Sequence, residues 1–370
     1  MGRDKTYSLG ILGGGQLGCL LAYAIQKKTS IPSTFKIFCT HKDDPAFHFF
    51  PEQATLLTEI KQLESCDTVF LESEFHSYDD LRDLQCSFIP EIKNYQHFYG
   101  KINQRLFYKA LGLAQPDFLV LNSEKNIVEI NFDFPVMLKK NLFSYDGYGN
   151  REANTPQELI HYANELGFPL LVEKKLKLKT EIAIGLVFDG NDVIELPWIE
   201  TFQKNYICHY VTGPAKLSLQ IENALRTQIK LLKEAPLKGL FAFEFFVTEN
   251  DQVFINEGAA RPHNSQHLSM ELCHKSQFDY LVDVALGIPL EKPIVLAAEG
   301  AMVNLLGKSD RENPDLSLPP IPAHYPHTVY LYGKKQGRVG RKMGHLNILN
   351  PFQDKNFFNF LDKLSLEYEL

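Results

Sequence analysis

An apolar run, Tyr7-Ser-Leu-Gly-Ile-Leu12, passes straight into Gly13-Gly-Gly-Gln-Leu-Gly18 and then into the amphipathic Cys19-Leu-Leu-Ala-Tyr-Ala-Ile-Gln-Lys27. Glycines between a buried strand and a helix permit a tight turn whose amides face whatever lies at the helix N-terminus, the opening unit of a parallel α/β sheet. The spacing matches G-x-G-x-x-G and leaves several readings open: a dinucleotide site, a structural turn, or a loop for a phosphate or substrate. A dinucleotide site calls for an acidic residue near the end of the next strand, to hold the ribose hydroxyls. Phe35-Lys-Ile-Phe-Cys-Thr40 offers Cys39 and Thr40 there instead, which weighs against that reading.

Thr68-Val-Phe-Leu-Glu72 reads as a further parallel strand and Lys101 to Leu113 as a helix, so residues 1–100 are expected to form a Rossmann-like, doubly wound domain. From about residue 115 the pattern turns to α+β. Val136-Met-Leu-Lys139, Leu170-Leu-Val-Glu173 and Glu181-Ile-Ala-Ile-Gly-Leu-Val-Phe188 read as strands, Pro156 to Leu166 as a helix, and Asp189-Gly-Asn-Asp192 as a hairpin turn. This second unit is placed at residues 101–295. Residues 296–370 form a third, small and β-rich, in which Pro314, Pro319, Pro320, Pro322 and Pro326 mark a linker. Thr328-Val-Tyr-Leu-Tyr332, a basic glycine turn and a helix from about Gln353 complete it.

With 370 residues the chain can bury a large core, and 44% hydrophobic with 22% charged residues is a globular balance. The 38 Lys+Arg against 45 Asp+Glu, net charge -7, offer no general attraction to nucleic acid or an anionic membrane, so any phosphate must be held locally. Cys19, Cys39, Cys66, Cys86, Cys208 and Cys273 are scattered without a C-x-x-C pair, as in a reduced, cytoplasmic protein. No apolar run approaches the length of a membrane span or has the form of a signal peptide.

The chemistry concentrates further along. Glu244 in Phe241-Ala-Phe-Glu-Phe-Phe-Val247 and Glu257 in Val253-Phe-Ile-Asn-Glu257 lie on two apolar strands joined by Thr248-Glu-Asn-Asp-Gln252. A hairpin sets the two carboxylates side by side, where they repel unless a cation lies between them. Magnesium suits that place because it takes carboxylate and phosphate oxygens together; the alternative is that strand alternation turns Glu244 outward. Gly258-Ala-Ala-Arg-Pro-His-Asn-Ser-Gln-His267 follows at once, with Arg261, His263, Asn264 and Ser265 as donors for an anionic substrate. His263 and His267 have H-x-x-x-H spacing, but no third soft ligand accompanies them, and His267 reads as a structural histidine.

Taken in order, Gly13-Gly-Gly-Gln-Leu-Gly18, Glu72-Ser-Glu74, Gln104-Arg105-Leu106, Tyr145-Asp-Gly-Tyr-Gly-Asn150, Asn256-Glu257 with Arg261-Pro-His-Asn-Ser265, Met302-Val-Asn-Leu-Leu-Gly307 and Gly340-Arg-Lys-Met-Gly-His345 resemble the ATP-grasp fold. Within it they resemble the N5-carboxyaminoimidazole ribonucleotide synthetase family of purine biosynthesis. The resemblance implies an N-terminal Rossmann-like (pre-ATP-grasp) domain, an ATP-grasp domain and a small β-rich C-terminal domain. It implies a ligase that turns 5-aminoimidazole ribonucleotide, bicarbonate and ATP into the N5-carbamate, ADP and phosphate through carboxyphosphate, with ATP and Mg2+ as cofactors. It further implies a homodimer.

Carried over by position, the resemblance places Arg105 and Lys139 at the ATP phosphates, with Tyr145, Asp146, Gly147, Tyr148, Gly149 and Asn150 as the covering loop. Glu173, Lys174, Lys175 and Leu176 form the hinge at adenine, Glu181 meets the ribose, Gln203 lies near the phosphates, and Asn256 and Glu257 contact phosphate and metal, with Glu244 the second metal ligand. Glu72, Glu74, Tyr145, Asp146 and His263 are implied in catalysis. Gly15, Gln16, Leu17, Arg261, His263, Asn264, Ser265, Lys334, Arg341 and Lys342 are implied in binding the ribonucleotide. The chain departs from the family pattern at Asn141-Leu-Phe-Ser144, at Tyr148 where the family has a cation, at Gln203 for a histidine and at Cys19 for an arginine. Lys140 is the nearest cation in sequence to compensate for Tyr148. Alternative readings are a nucleotide-binding relative with altered ligase chemistry and another carboxylate-amine ligase of the same fold.

Overall fold

The computed structural model describes residues 6–29, 31, 33–74, 76–142, 149–204, 206–312, 320–350 and 353–367. Among these, the strands form three sheets. The first contains β1 (Tyr7–Leu12), β2 (Ser33–Cys39), β3 (Ala54–Leu56), β4 (Thr68–Leu71) and β5 (Ser87–Ile89), parallel throughout in the order β3-β2-β1-β4-β5. Leu9, Ile11 and Leu12 are fully buried because a parallel sheet is covered on both faces, which is why β1 reads as a continuous apolar run. The helix Gln16–Lys27 follows, and its Leu17, Leu20, Leu21 and Ile25 share a core with Phe278, Leu281 and Val282 of the helix Gln277–Leu286. That shared core fastens the first sheet to the following unit.

The second sheet is antiparallel, with β6 (Phe118–Leu121), β7 (Val136–Lys140), β8 (Asn150–Ala153) and β9 (Leu170–Lys174) in the order β6-β9-β7-β8. It is covered by the helix Pro156–Leu166, where Thr155 caps the first turn by accepting from the Glu158 amide at 3.2 Å. Proline at the first helical position costs nothing there, since its amide would have no helical partner.

The third sheet holds β10 (Leu178–Phe188), β11 (Val193–Glu195), β12 (Ile199–Lys204), β13 (Ile207–Gly213), β14 (Gly239–Thr248), β15 (Val253–Ala259), β16 (Gly300–Leu306), β17 (His327–Leu331) and β18 (Lys342–Leu349). Its order is β15-β14-β10-β12-β13-β16-β18-β17, with β11 paired to β10. The C-terminal strands therefore extend the same sheet through the β13–β16 pairing, Tyr210 opposite Val303. The hydrogen-bonded ladder thus joins strands on the two sides of the boundary expected near 295. Two helix ends differ from the sequence expectation. The helix from Lys101 stops at Ala110, after which Gly112 at φ 72° turns the chain. The last helix starts at Phe357 because Asn350 Oδ1 takes the Asp354 amide and Asp354 takes the Asn356 amide, each at 2.9 Å, fixing a turn first. Among the described residues no helix is long and apolar enough to cross a membrane.

Candidate active site

The hairpin of β14 and β15 sets Glu244 directly opposite Glu257, so the two carboxylates face the same side and the outward alternative for Glu244 does not hold. A register irregularity follows immediately, between Glu244 and Phe245. Lys101 Nζ bonds Glu257 Oε2 at 2.6 Å, and His263 Nδ1 stands 3.8 Å from Glu244 Oε1. The pair is electrostatically split. Lys101 holds the Glu257 carboxyl well below the usual range, while burial and the neighbouring charges of Glu257 and Glu181 push Glu244 up to about 8. Among the described residues no group of three or more His, Cys, Asp or Glu side chains forms a metal cage. Two facing carboxylates with cationic side chains nearby fit magnesium, a hard cation that takes oxygen ligands. Glu74, Lys101, Glu244, Glu257, Arg261 and His263 line a cleft of about 110 Å³ at this point.

Behind the hairpin lies a buried ionic triad. Glu173 on β9 pairs with Arg105 Nε and, at 2.7 Å, with Lys139 Nζ, and all three side chains are below 10% exposed. Strand alternation along β7 buries Lys139 and exposes Lys140, so Lys140 faces away from this cluster. Arg105 also donates to the Ile255 carbonyl at 2.9 Å, and Lys139 to Asn256 Oδ1 at 3.2 Å. Burial alone would raise the Glu173 pKa, but the two cations outweigh it and bring it down to about 2; burial lowers that of Lys139. Of the expected hinge residues, Lys174 ends β9, and Lys175 and Leu176 follow it. The amides of Lys174 and Lys175 already bond the carbonyls of Asp117 and Pro135. Glu181 on β10 accepts from Gln203 Nε2 at 2.7 Å, and burial with the Glu257 charge lifts it to about 7.

The glycine turn wraps a carboxylate. Glu72, just past β4, accepts the Gly15 amide at 3.0 Å and the Gly18 amide more closely still. A Cβ at Gly13, Gly15 or Gly18 would strike Glu72, and Gly13 has φ 120°. The helix N-terminus is thus occupied by a protein carboxylate, where a dinucleotide would put its phosphates. Burial raises Glu72 to about 7, with the two amides opposing it. Gln16, in the first turn, accepts from Lys334 Nζ at 2.7 Å, which joins this turn to the C-terminal strands; Leu17 is buried beneath it. Lys334 also bonds the Lys342 carbonyl at 2.7 Å, and Arg341 Nη1 the Gln336 carbonyl at 2.7 Å.

Arg261 Nε donates to Glu74 Oε2 at 2.7 Å, and this carboxylate raises the guanidinium pKa against the partial burial that lowers it. His263 Nδ1 lies 2.9 Å from Ser265 Oγ, and Asn264 exchanges amide hydrogen bonds of 2.8 Å with Asn304. His267 is fully buried and bonds Gln277 through Nδ1, as a structural histidine does. The structure thus gathers Glu74, Arg261, His263, Glu244 and Glu257 at one cleft, with Arg105, Lys139, Glu173 and Asn256 behind it. Of the expected covering loop, Gly149 precedes β8 and Asn150 begins it; Tyr145, Asp146, Gly147 and Tyr148 lie outside the described residues.

Lys101 is a side chain of this cleft that none of the sequence motifs includes. It begins the helix Lys101–Ala110, where a cation opposes the helix dipole, so its placement there carried a signal. The helix start is tied to Asn141, whose carbonyl takes the Lys101 amide and whose Oδ1 takes the Ile102 amide, both at 3.0 Å.

This arrangement has known counterparts. Residues 106–278 match the ATP-grasp domain model, and residues 300–355 match the phosphoribosylaminoimidazole carboxylase C-terminal domain model. The chain is 29% identical over 370 residues to the N5-carboxyaminoimidazole ribonucleotide synthase of Synechocystis, covering 94% of this chain and 93% of the relative. It is 30% identical to the phosphoribosylaminoimidazole carboxylase of Ogataea methanolica, with 93% of this chain and 67% of that protein covered. The chain belongs to the N5-carboxyaminoimidazole ribonucleotide synthase family. Within that family, the Aspergillus clavatus N5-carboxyaminoimidazole synthase, solved with ADP and 5-aminoimidazole ribonucleotide, superposes with a TM-score of 0.82. Identity there is 25%, covering 98% of this chain and 99% of that one. The ATP-grasp fold and its C-terminal family domain are accordingly those of this chain.

Proposed function

We propose that the chain carboxylates 5-aminoimidazole ribonucleotide to N5-carboxyaminoimidazole ribonucleotide, consuming bicarbonate and ATP and releasing ADP and phosphate, in purine biosynthesis. The observation that carries this reading is the Glu244–Glu257 pair, set opposite each other beside Lys101, Arg261 and His263. A magnesium ion held by Glu244 and Glu257 would supply charge neutralisation at the ATP phosphates. Arg105, Lys101, Lys139 and Asn256 orient the phosphate chain, and the three cations stabilise the phosphoryl group as it passes to a bicarbonate oxygen. The hinge Glu173–Leu176 and Glu181 with Gln203 take the nucleoside end, and residues 145–150 cover it.

Bicarbonate is a poor electrophile, and phosphorylation gives it a leaving group. The exocyclic amine of the ribonucleotide then bonds to the carboxyl carbon as phosphate departs, directly or from CO₂ freed in the closed site. Water must be kept out meanwhile, because carboxyphosphate would otherwise hydrolyse. In this reading Arg261, His263, Asn264 and Ser265, with Glu72, Glu74, Tyr145 and Asp146, surround the reacting amine and carboxyl. Gly15, Gln16, Leu17, Lys334, Arg341 and Lys342 hold the ribonucleotide, its phosphate at the cations. The division at residues 1–100, 101–295 and 296–370, a homodimeric assembly and a cytoplasmic setting belong to the same proposal.

The test is phosphate release from MgATP by the purified protein, with and without 5-aminoimidazole ribonucleotide and bicarbonate. Release that rises only when both are present supports the reading. A protein that binds ATP and whose release ignores them refutes it.

A further inference from the structure

A line of buried side chains runs from Lys334 to His263. Lys334 Nζ lies over the Tyr332 ring, 5.2 Å from its centroid. The Tyr332 hydroxyl is 2.8 Å from His345 Nδ1. The His345 ring rests against that of His267, with centroids 4.8 Å apart and planes at 34°. His267 Nδ1 is 2.8 Å from Gln277 Nε2. Gln277, the first residue of its helix, then clamps the backbone of His263 on both sides: its Oε1 accepts the His263 amide at 2.8 Å and its Nε2 donates to the His263 carbonyl at 2.9 Å. Tyr332 is 3% exposed, and His345, His267 and Gln277 are 0% exposed.

The chemistry of this line fixes the tautomer of His267. Gln277 Nε2 can only donate, so His267 Nδ1 accepts and the ring proton sits on Nε2. Burial pushes both imidazoles down, His345 to about 3, so neither carries charge near neutrality. The Nε2 atoms of both rings are buried without a hydrogen-bond partner among the described residues. An unmet polar atom costs stability, and a phenylalanine could fill either space without that cost. The value of the rings therefore lies in their Nδ1 contacts. Strands β16 and β18 brace the loop beside the line. Asn304, opposite His345 in the β16–β18 register, holds Asn264, and Asn347 Nδ2 donates to the His267 carbonyl at 3.0 Å.

We propose that Tyr332, His345, His267 and Gln277 form a strut that sets the distance between the phosphate end of the ribonucleotide site, at Lys334, and its reacting end, at His263. His345 and His267 are then positioning residues for the carboxylation, touching neither substrate nor ATP. The inference rests on the proposed function, in which Lys334 and His263 hold opposite ends of one substrate. Rigid spacing matters because binding energy gained at a remote phosphate can be used to orient the amine only if the two ends cannot drift apart.

The experiment uses Tyr332→Phe, which removes one hydroxyl and keeps the ring, together with His345→Phe and His345→Asn. Asparagine places an acceptor close to where Nδ1 stands. Stimulated phosphate release by the wild type tests the function separately; the variants test the strut. In folded Tyr332→Phe and His345→Phe, kcat should fall roughly ten- to a hundredfold. KM for ATP should stay within about twofold, and more ATP should be consumed per carbamate formed, since the phosphate remains anchored while the amine is misplaced. His345→Asn should recover part of the loss. Unchanged kcat and coupling in folded Tyr332→Phe would overturn the strut, as would a rise in KM for ATP that accounts for the whole loss.

Discussion

Replacing Glu173 by glutamine removes one charge from the triad and little volume, leaving Arg105 and Lys139 buried together without a counter-charge. The cost can be reached in two ways. Breaking a buried ion pair by removing one partner costs about 3–5 kcal/mol. Independently, a carboxyl held at about 2 against an ordinary 4.5 corresponds to roughly 3 kcal/mol, at about 1.4 kcal/mol for each tenfold change in proton affinity. For a chain of 370 residues that unfolds as one unit, this is a fall in Tm of about 4–6 °C at neutral pH. The sign of the pH dependence follows, because the folded pKa is depressed. The stabilisation is fully present above about 4.5, and it is lost as the pH falls toward and through about 2. The gap between wild type and Glu173→Gln should therefore be constant from pH 8 to pH 5 and narrow below it. Glu152→Gln is the control, since it cuts the exposed pair with Lys175 and should move Tm by less than about 1 °C. Differential scanning calorimetry across that pH range decides it. A Glu173→Gln shift no larger than that of Glu152→Gln would refute the claim that Glu173 neutralises the two cations, as would a gap that widens on acidification.

Glu257→Gln and Glu244→Gln should each raise the magnesium concentration needed for half-maximal phosphate release, because a neutral amide is a poorer ligand for a hard cation. Glu257, ionised by Lys101, should matter more; wild-type rates at limiting magnesium in both variants would remove the metal from this hairpin. His263→Ala should lower turnover with the ribonucleotide by about 10²–10⁴-fold while ATP binding, followed by calorimetry, changes little. A variant that lost ATP affinity and kept its saturated turnover would move His263 to the nucleotide side.

The parts of this molecule that were readable in the chain are those held by neighbours in sequence. The β1–glycine turn–helix unit follows from a buried strand meeting residues free to turn sharply. The Glu244–Glu257 pairing needs only two apolar strands and a short connection, whose register brings the carboxylates together. Other contacts depend on distant partners. Glu173 meets Arg105 from 68 residues away, and Gly18 meets Glu72 across 54. Strand alternation says which side chains share a face, but not which strand or helix will stand opposite. A carboxylate at a strand end is therefore open, in sequence, to solvent, ribose or a buried cation. The triad and the occupied helix N-terminus, like the line from Lys334 to His263, exist only once separate sheets and helices pack. Lys101 belongs to both kinds. Its unfavourable place at a helix start was visible in the chain, but the carboxylate that stabilises it comes from a strand 156 residues away, joined to it by packing alone.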